Sequence, residues 1–207
     1  ERALGGVGLI VTGGISPNLR GRLAPNACQL SFPWQVKKHT KVTQAVHEAG
    51  GKICMQLLHA GRYGYHPFSS APSKIKSPIT PFTPSAMSAR QVNGTIKDYA
   101  TSAALAKKAG YDGVEVMGSE GYLINQFISS RTNKRDDKWG GEFKNRAQFP
   151  IGIVNSIREK VGSDFIIIFR LSMLDLVDNG STWEEVVQLA KWLEQAGVTI
   201  INTGIGW

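Results

Sequence analysis

Tyr122 carries the most suggestive chemistry in the sequence. A phenol with an ordinary pKa of about 10 stays protonated at neutral pH, so it can give a proton to a carbanion or enolate as that charge forms. It lies in MGSEGYLINQF (Met117–Phe127), directly after a short apolar run. The ring could equally pack with Leu123, Ile124 and Phe127 and rest its hydroxyl on a neighbour. Glu120, two residues earlier, is either a site carboxylate or a solvated one. Gln56 opens QLLHAGRYG, a stretch that puts an amide, the His59 imidazole and the Arg62 guanidinium close together. An amide both donates and accepts, matching the alternating edge of a flavin pyrimidine or a nucleobase; its other reading is an ordinary hydrogen bond within a sheet. His59 joins that set or simply packs the loop. Arg170 interrupts the apolar run Phe165–Leu171. A guanidinium there needs a carboxylate or an electron-rich ring beside it.

These groups share a position in the chain: each follows or ends an apolar run. Val7–Thr12, Lys52–Leu57, Val114–Met117, Phe165–Leu171 and Val198–Thr203 read as strands. Helical stripes lie between them, with Val36, Thr43 and Val46 on the first, and Val92, Ile96, Tyr99, Ala103 and Ala106 on the second. Ile153, Val154 and Ile157 mark the third, whose start Pro150 sets nearer Phe149 than Asn145. Trp183, Val186, Val187, Ala190 and Leu193 mark the fourth. Ser88–Gln91 and Ser181–Glu184 have capping-box form. Ala49-Gly50, Ala109-Gly110 and Ala196-Gly197 each end a helix just before a strand. Tyr63–Ser88, broken by Pro67, Pro72, Pro78, Pro81 and Pro84, predicts a long excursion with little regular structure.

Continuous apolar strands separated by helices are covered on both faces, which means a parallel sheet. Five such units fit an open doubly wound sheet or part of a (β/α)8 barrel. No strand is followed by G-x-G-x-x-G, and every strand ends in polar residues: Thr12-Gly13-Gly14, Gln56 with His59, Glu120 with Tyr122, Arg170 with Ser172, and Asn202-Thr203. A barrel gathers such ends into one mouth, so the barrel is favoured.

With 42% hydrophobic and 19% charged residues the chain is an ordinary globular one, and no apolar run reaches the roughly 18 residues of a membrane span. The net charge of +8 invites an anionic partner, yet the basic residues are scattered without interleaved exposed aromatics, which argues against nucleic acid. Cys28 and Cys54 lack the spacing of a metal site or disulfide framework, so no metal is expected and a reduced, cytoplasmic setting fits. No strand end carries the lysine that a flavin-free aldolase would use. The start at Glu1 and the stop at Trp207, directly after a strand, lead us to expect an internal piece of a longer protein, with residues 1–207 an incomplete domain truncated at both ends.

Taken together, QLLHAGR, VEVMGSEGYLINQF, RTNKRDDKWGGEFKNR, FRLSMLDLV and INTGIGW resemble the Old Yellow Enzyme class of NADH:flavin oxidoreductases. The similarity is greatest to the branch of bacterial-type NADPH-dependent 2,4-dienoyl-CoA reductases. Much of the wider class holds His and Asn where this chain has Met117 and Glu120, and those two resemble the dienoyl-CoA branch. The resemblance implies roughly strands 2 to 6 of an FMN-binding TIM barrel. It assigns Gly14, Gln56 and Arg170 to FMN, Tyr122 to proton donation, and Arg131, Thr132, Asn133 and Lys134 to the substrate, an unsaturated acyl-CoA thioester. It also implies a histidine immediately after Trp207, further phosphate-binding loops, and FAD, an iron–sulfur cluster and NADPH in the remainder. On that basis the piece by itself is expected to bind FMN weakly and to be inactive. An enone or quinone reductase, or a non-catalytic half-barrel, are the alternatives.

Overall fold

The computed structural model describes residues 1–207. In chain order β1 (Leu9–Val11) leads through a long loop to α1 (Val36–Glu48) and β2 (Lys52–Leu57). Two residue pairs, β3 (Ser70–Ala71) and β4 (Ser85–Ala86), are all the strand structure within the proline-rich excursion. Then come α2 (Ala89–Lys108), β5 (Gly113–Gly118), the short α3 (Leu123–Ile128) and α4 (Phe143–Arg146), α5 (Gln148–Val161), β6 (Ile166–Leu174), α6 (Trp183–Gln195) and β7 (Ile200–Ile205). No helix is long and apolar enough to cross a membrane.

The five main strands form one parallel sheet in the order β1-β2-β5-β6-β7. Each strand therefore lies beside its predecessor, and the order never reverses as it would in a doubly wound sheet. The covering helices follow suit, α1 against α2, α2 against α5 and α5 against α6, so they line one face in sequence. A parallel sheet that adds strands in one direction, with helices on one side, is a curling half-barrel.

Side-chain alternation along the strands divides the sheet chemically. Ile53, Met55, Leu57, Val114, Val116, Ile167 and Phe169 face the helices and belong to the single hydrophobic core. The opposite face carries Gln56, Glu115 and Ile168 in one row, and Met117, Arg170 and Asn202 in the next. Apolar contacts behind the sheet thus hold a polar face toward the barrel interior. The Ala-Gly repeat works as its spacing suggests. Gly50, Gly110 and Gly197 have φ of +77°, +89° and +100°, the left-handed turn that closes a helix before the next strand.

The fourth helix departs from expectation in two ways. Its N-cap is Thr182, whose hydroxyl accepts from the Glu185 N–H at 3.3 Å while the Glu185 carboxylate accepts from the Thr182 N–H at 3.2 Å. Ser181 does not cap; its N–H is drawn away to Asp175 at 3.0 Å. Trp183, the first residue of the helix, is 60% exposed, while Leu189 joins Val186 and Leu193 in the core. The first capping box is formed as read, by Ser88 and Gln91.

Candidate active site

A hydrogen-bonded line crosses the polar face near the strand ends. Glu115, 1% exposed, accepts from Gln56 Nε2 at 2.6 Å and from Asn202 Nδ2 at 2.7 Å. The carboxylate thereby joins β2, β5 and β7 and fixes which way the Gln56 amide is turned. Gln56 also anchors the loop after β1: its N–H donates to Thr12 Oγ1 at 3.0 Å and its carbonyl accepts from the Ile15 N–H at 2.8 Å. Gly14 lies between those anchors, so close to Leu58 that a Cβ would come within 2.7 Å of its Cδ1.

Arg170, one row further up, is half-buried and pairs with Glu120, its Nε and Nη2 donating to Oε1 at 3.0 and 2.7 Å. Glu120 reaches it from a left-handed backbone conformation, φ +60°, which a non-glycine residue adopts only where its surroundings hold it. Two residues on, Tyr122 is the N-cap of α3, with its ring edge-on to Tyr63 at 5.7 Å. Burial, then the nearby Glu120 carboxylate and Tyr63, raise the Tyr122 pKa. All three disfavour the phenolate, so the proton is held until a strong base takes it.

The loops bearing these groups are stitched by residues with no site role of their own. Gln126, fully buried, donates to the carbonyls of Gly121 at 2.6 Å and Ala60 at 3.3 Å and accepts from the Arg62 N–H at 3.0 Å. Gly61, at φ +60°, sits where any side chain would run into that amide. His59 is buried, its Nδ1 accepting from the Gly61 N–H at 3.1 Å. Burial, with the His66 and Arg20 charges, pushes its pKa down to about 3. It is a neutral packing histidine, the second of its two readings. Asp175 accepts from Ser172 Oγ at 2.7 Å, Asn125 Nδ2 at 3.2 Å and the Ser181 N–H, tying the end of β6 to α3.

The segment after α3 divides its four residues. Thr132 Oγ1 donates to the Gln126 carbonyl at 2.8 Å, and Asn133 Nδ2 to those of Phe127 and Trp139, each at 2.7 Å. Both side chains are buried in structural bonds, leaving only Arg131 and Lys134 exposed. The buried Arg146 clamps the same segment through the Ile128 and Gly141 carbonyls, both at 2.6 Å, and Glu185 at 2.8 Å. The structure thus collects Gly14, Gln56, Arg170 and Tyr122 at one end of the sheet. It gives Thr132 and Asn133 to the scaffold. Glu115, Gln126 and Asp175 escaped the sequence reading, although an isolated acid inside the apolar VEVMG strand was a usable signal for the first.

The sequence profile of the NADH:flavin oxidoreductase / NADH oxidase family matches residues 1–205. The chain is 38% identical to an NADH oxidase of Thermoanaerobacter brockii over 99% of its own length and 32% of that protein. It is 34% identical to an NADPH dehydrogenase of Bacillus subtilis, over its full length and 61% of the relative. The chain thus spans between about a third and three fifths of the length of these relatives. Among solved structures, a 2-naphthoyl-CoA reductase in complex with 2-naphthoyl-CoA superposes with a TM-score of 0.93 at 33% identity, over all of this chain and 34% of that one. Morphinone reductase superposes at 0.85 with 28% identity, over 94% and 58%. With the half-barrel and its polar mouth, this places the chain in the NADH:flavin oxidoreductase / NADH oxidase family, of the Old Yellow Enzyme class.

Proposed function

We propose that these residues form the flavin-binding core of an FMN-dependent reductase acting on the conjugated C=C of an unsaturated acyl-CoA thioester. The observation that carries the reading is Tyr122, a phenol held protonated at the strand ends, two residues from the Glu120 that pairs with Arg170. The donor set suits the flavin. Glu115 occupies the Gln56 NH2 and leaves Oε1 without a partner, an acceptor for a ring imide N–H. Arg170 keeps N–H groups beyond those given to Glu120, and a cation there favours an electron-rich ring. The tight approach of Gly14 to Leu58 leaves backbone, not side chain, at that corner. FMN, when bound, supplies the hydride.

The chain's own residues do the rest. Tyr122 delivers a proton to the carbon left negative, a step that contributes roughly 10²–10⁴-fold when the donor is well placed. Arg131 and Lys134, the exposed cations of the loop after α3, suit the charged part of a CoA ester; Thr132 and Asn133 act by holding that loop. Met117 and Glu120 support the dienoyl-CoA branch, and the likeness to the naphthoyl-CoA reductase supports a thioester. FAD, an iron–sulfur cluster and NADPH belong to the same reading, outside these residues.

The test is a substrate comparison on the full-length protein with NADPH. A 2,4-dienoyl-CoA should exceed 2-cyclohexenone in kcat/KM by about 10⁴-fold, the scale of discrimination when buried polar partners go unmatched. The reverse preference would transfer the assignment to the enone reductases, which the likeness to morphinone reductase supports.

A further inference from the structure

Within residues 1–207, Arg62 is a buried cation without a carboxylate. It is 7% exposed, its Nε has no hydrogen-bond partner, and none of the chain's ion pairs includes it. Its Nη1 reaches only the Lys76 carbonyl, at 3.5 Å. The guanidinium lies 5.7 Å from the Tyr63 ring and 5.6 Å from the Trp207 ring. Aromatic rings attract a cation but leave its in-plane N–H donors unused. Desolvating such a charge is unfavourable unless an anion with matching oxygens joins it.

The space around it is built for one. Arg62 lines a hollow of about 590 Å³ whose other cations are Lys76 and Arg131, with no acidic residue in the lining and with Ile75, Pro78 and Trp207 as apolar walls. Both outer cations are exposed, so a ligand meets two mobile charges first and the rigid fork of Arg62 last. Tyr63 is shared: its ring lines the hollow and meets Tyr122. Any side chain at Gly121 would strike the Tyr63 hydroxyl and the Trp207 indole, which keeps that junction open.

We infer that this hollow is a subsite for the diphosphate of a nucleotide-bearing ligand, with Arg62 as the residue that recognises it. The choice of CoA as that ligand rests on the thioester reading above; NADPH carries the same chemistry. A fork-shaped donor in a partly dehydrated site favours a phosphate oxygen pair over a single carboxyl contact with solvent.

The test is direct titration of the full-length protein with CoA, with NADPH and with uncharged pantetheine, none of which requires turnover. Arg62→Met should weaken the phosphate-bearing ligand by about tenfold or more, Arg62→Lys by less, and leave pantetheine unchanged. Lys76→Ala, on the exposed rim and harmless to folding, should weaken it about threefold and flatten its salt dependence. Loss confined to NADPH would keep the subsite and count against the thioester; loss for CoA supports both. Unaltered binding of CoA and NADPH in both Arg62→Met and Lys76→Ala overturns the inference. Should Arg62→Met fail to fold, unaltered binding in the double variant Lys76→Ala/Arg131→Ala overturns it equally.

Discussion

Glu115 sets the direction of the Gln56 amide, and with it the acceptor that the proposed flavin site would turn toward a ring imide. Replacing its carboxylate by an amide puts an NH2 opposite the NH2 of Gln56 or of Asn202, and one donor loses its partner. Glu115→Gln should therefore destabilise the fold by about 1–3 kcal/mol, seen as a lower urea midpoint, and weaken flavin retention in the full-length protein. His59 yields a pH prediction. Its pKa is lowered from 6.5 to about 3 in the fold, so below pH about 6.5 the unfolded chain takes up a proton that the folded chain refuses. Stability from this residue is complete above that pH and lost as pH falls toward about 3, at up to about 1.4 kcal/mol per pH unit. Between about pH 7 and about pH 5 the urea midpoint should fall more in the wild type than in His59→Asn. At this scale sequence reasoning finds residues with conspicuous chemistry, such as Tyr122, Gln56 and Arg170. It offers Thr132 and Asn133, polar and loop-borne, as ligand contacts, while the fold commits both side chains to backbone carbonyls that become visible only after folding. It also leaves Arg170 without its partner, since Glu120 reaches it only through a left-handed turn.

The five main strands and the four long helices were legible to within a few residues, because apolar runs and Ala-Gly endings are local signals, whereas the short α3 and α4 were not. The cap of α6 shows where local signals fail. Ser181 and Thr182 both have a glutamate three residues on, and both fit the pattern. Asp175, held by Ser172 and Asn125, decides between them by claiming the Ser181 N–H. Thr182→Ala should therefore cost about 1 kcal/mol of stability and Ser181→Ala almost none, as read from thermal or urea unfolding. Equal effects would return the cap to Ser181. Trp183, which the helical stripe assigns to the core, stands at the first position of the helix and is exposed.

Across the whole molecule, the half-barrel is a device for dividing chemistry between two faces. Helices bury Leu57, Val116 and Phe169 behind the sheet while Gln56, Glu115, Met117 and Arg170 stand on the other face. Strand order alone distinguishes this from a doubly wound sheet, and the polar strand ends were sufficient to anticipate it. What the chain order could not convey is the depth of each group, from the buried Glu115 to the half-exposed Arg170. In the reaction proposed above, Tyr122 supplies the proton at this mouth. That role is tested most directly by mixing NADPH-reduced full-length protein with 2,4-dienoyl-CoA and following flavin reoxidation. In Tyr122→Phe that rate should fall by about 10²–10⁴-fold while reduction by NADPH proceeds as in the wild type. Reoxidation at the wild-type rate would rule out Tyr122 as the proton donor.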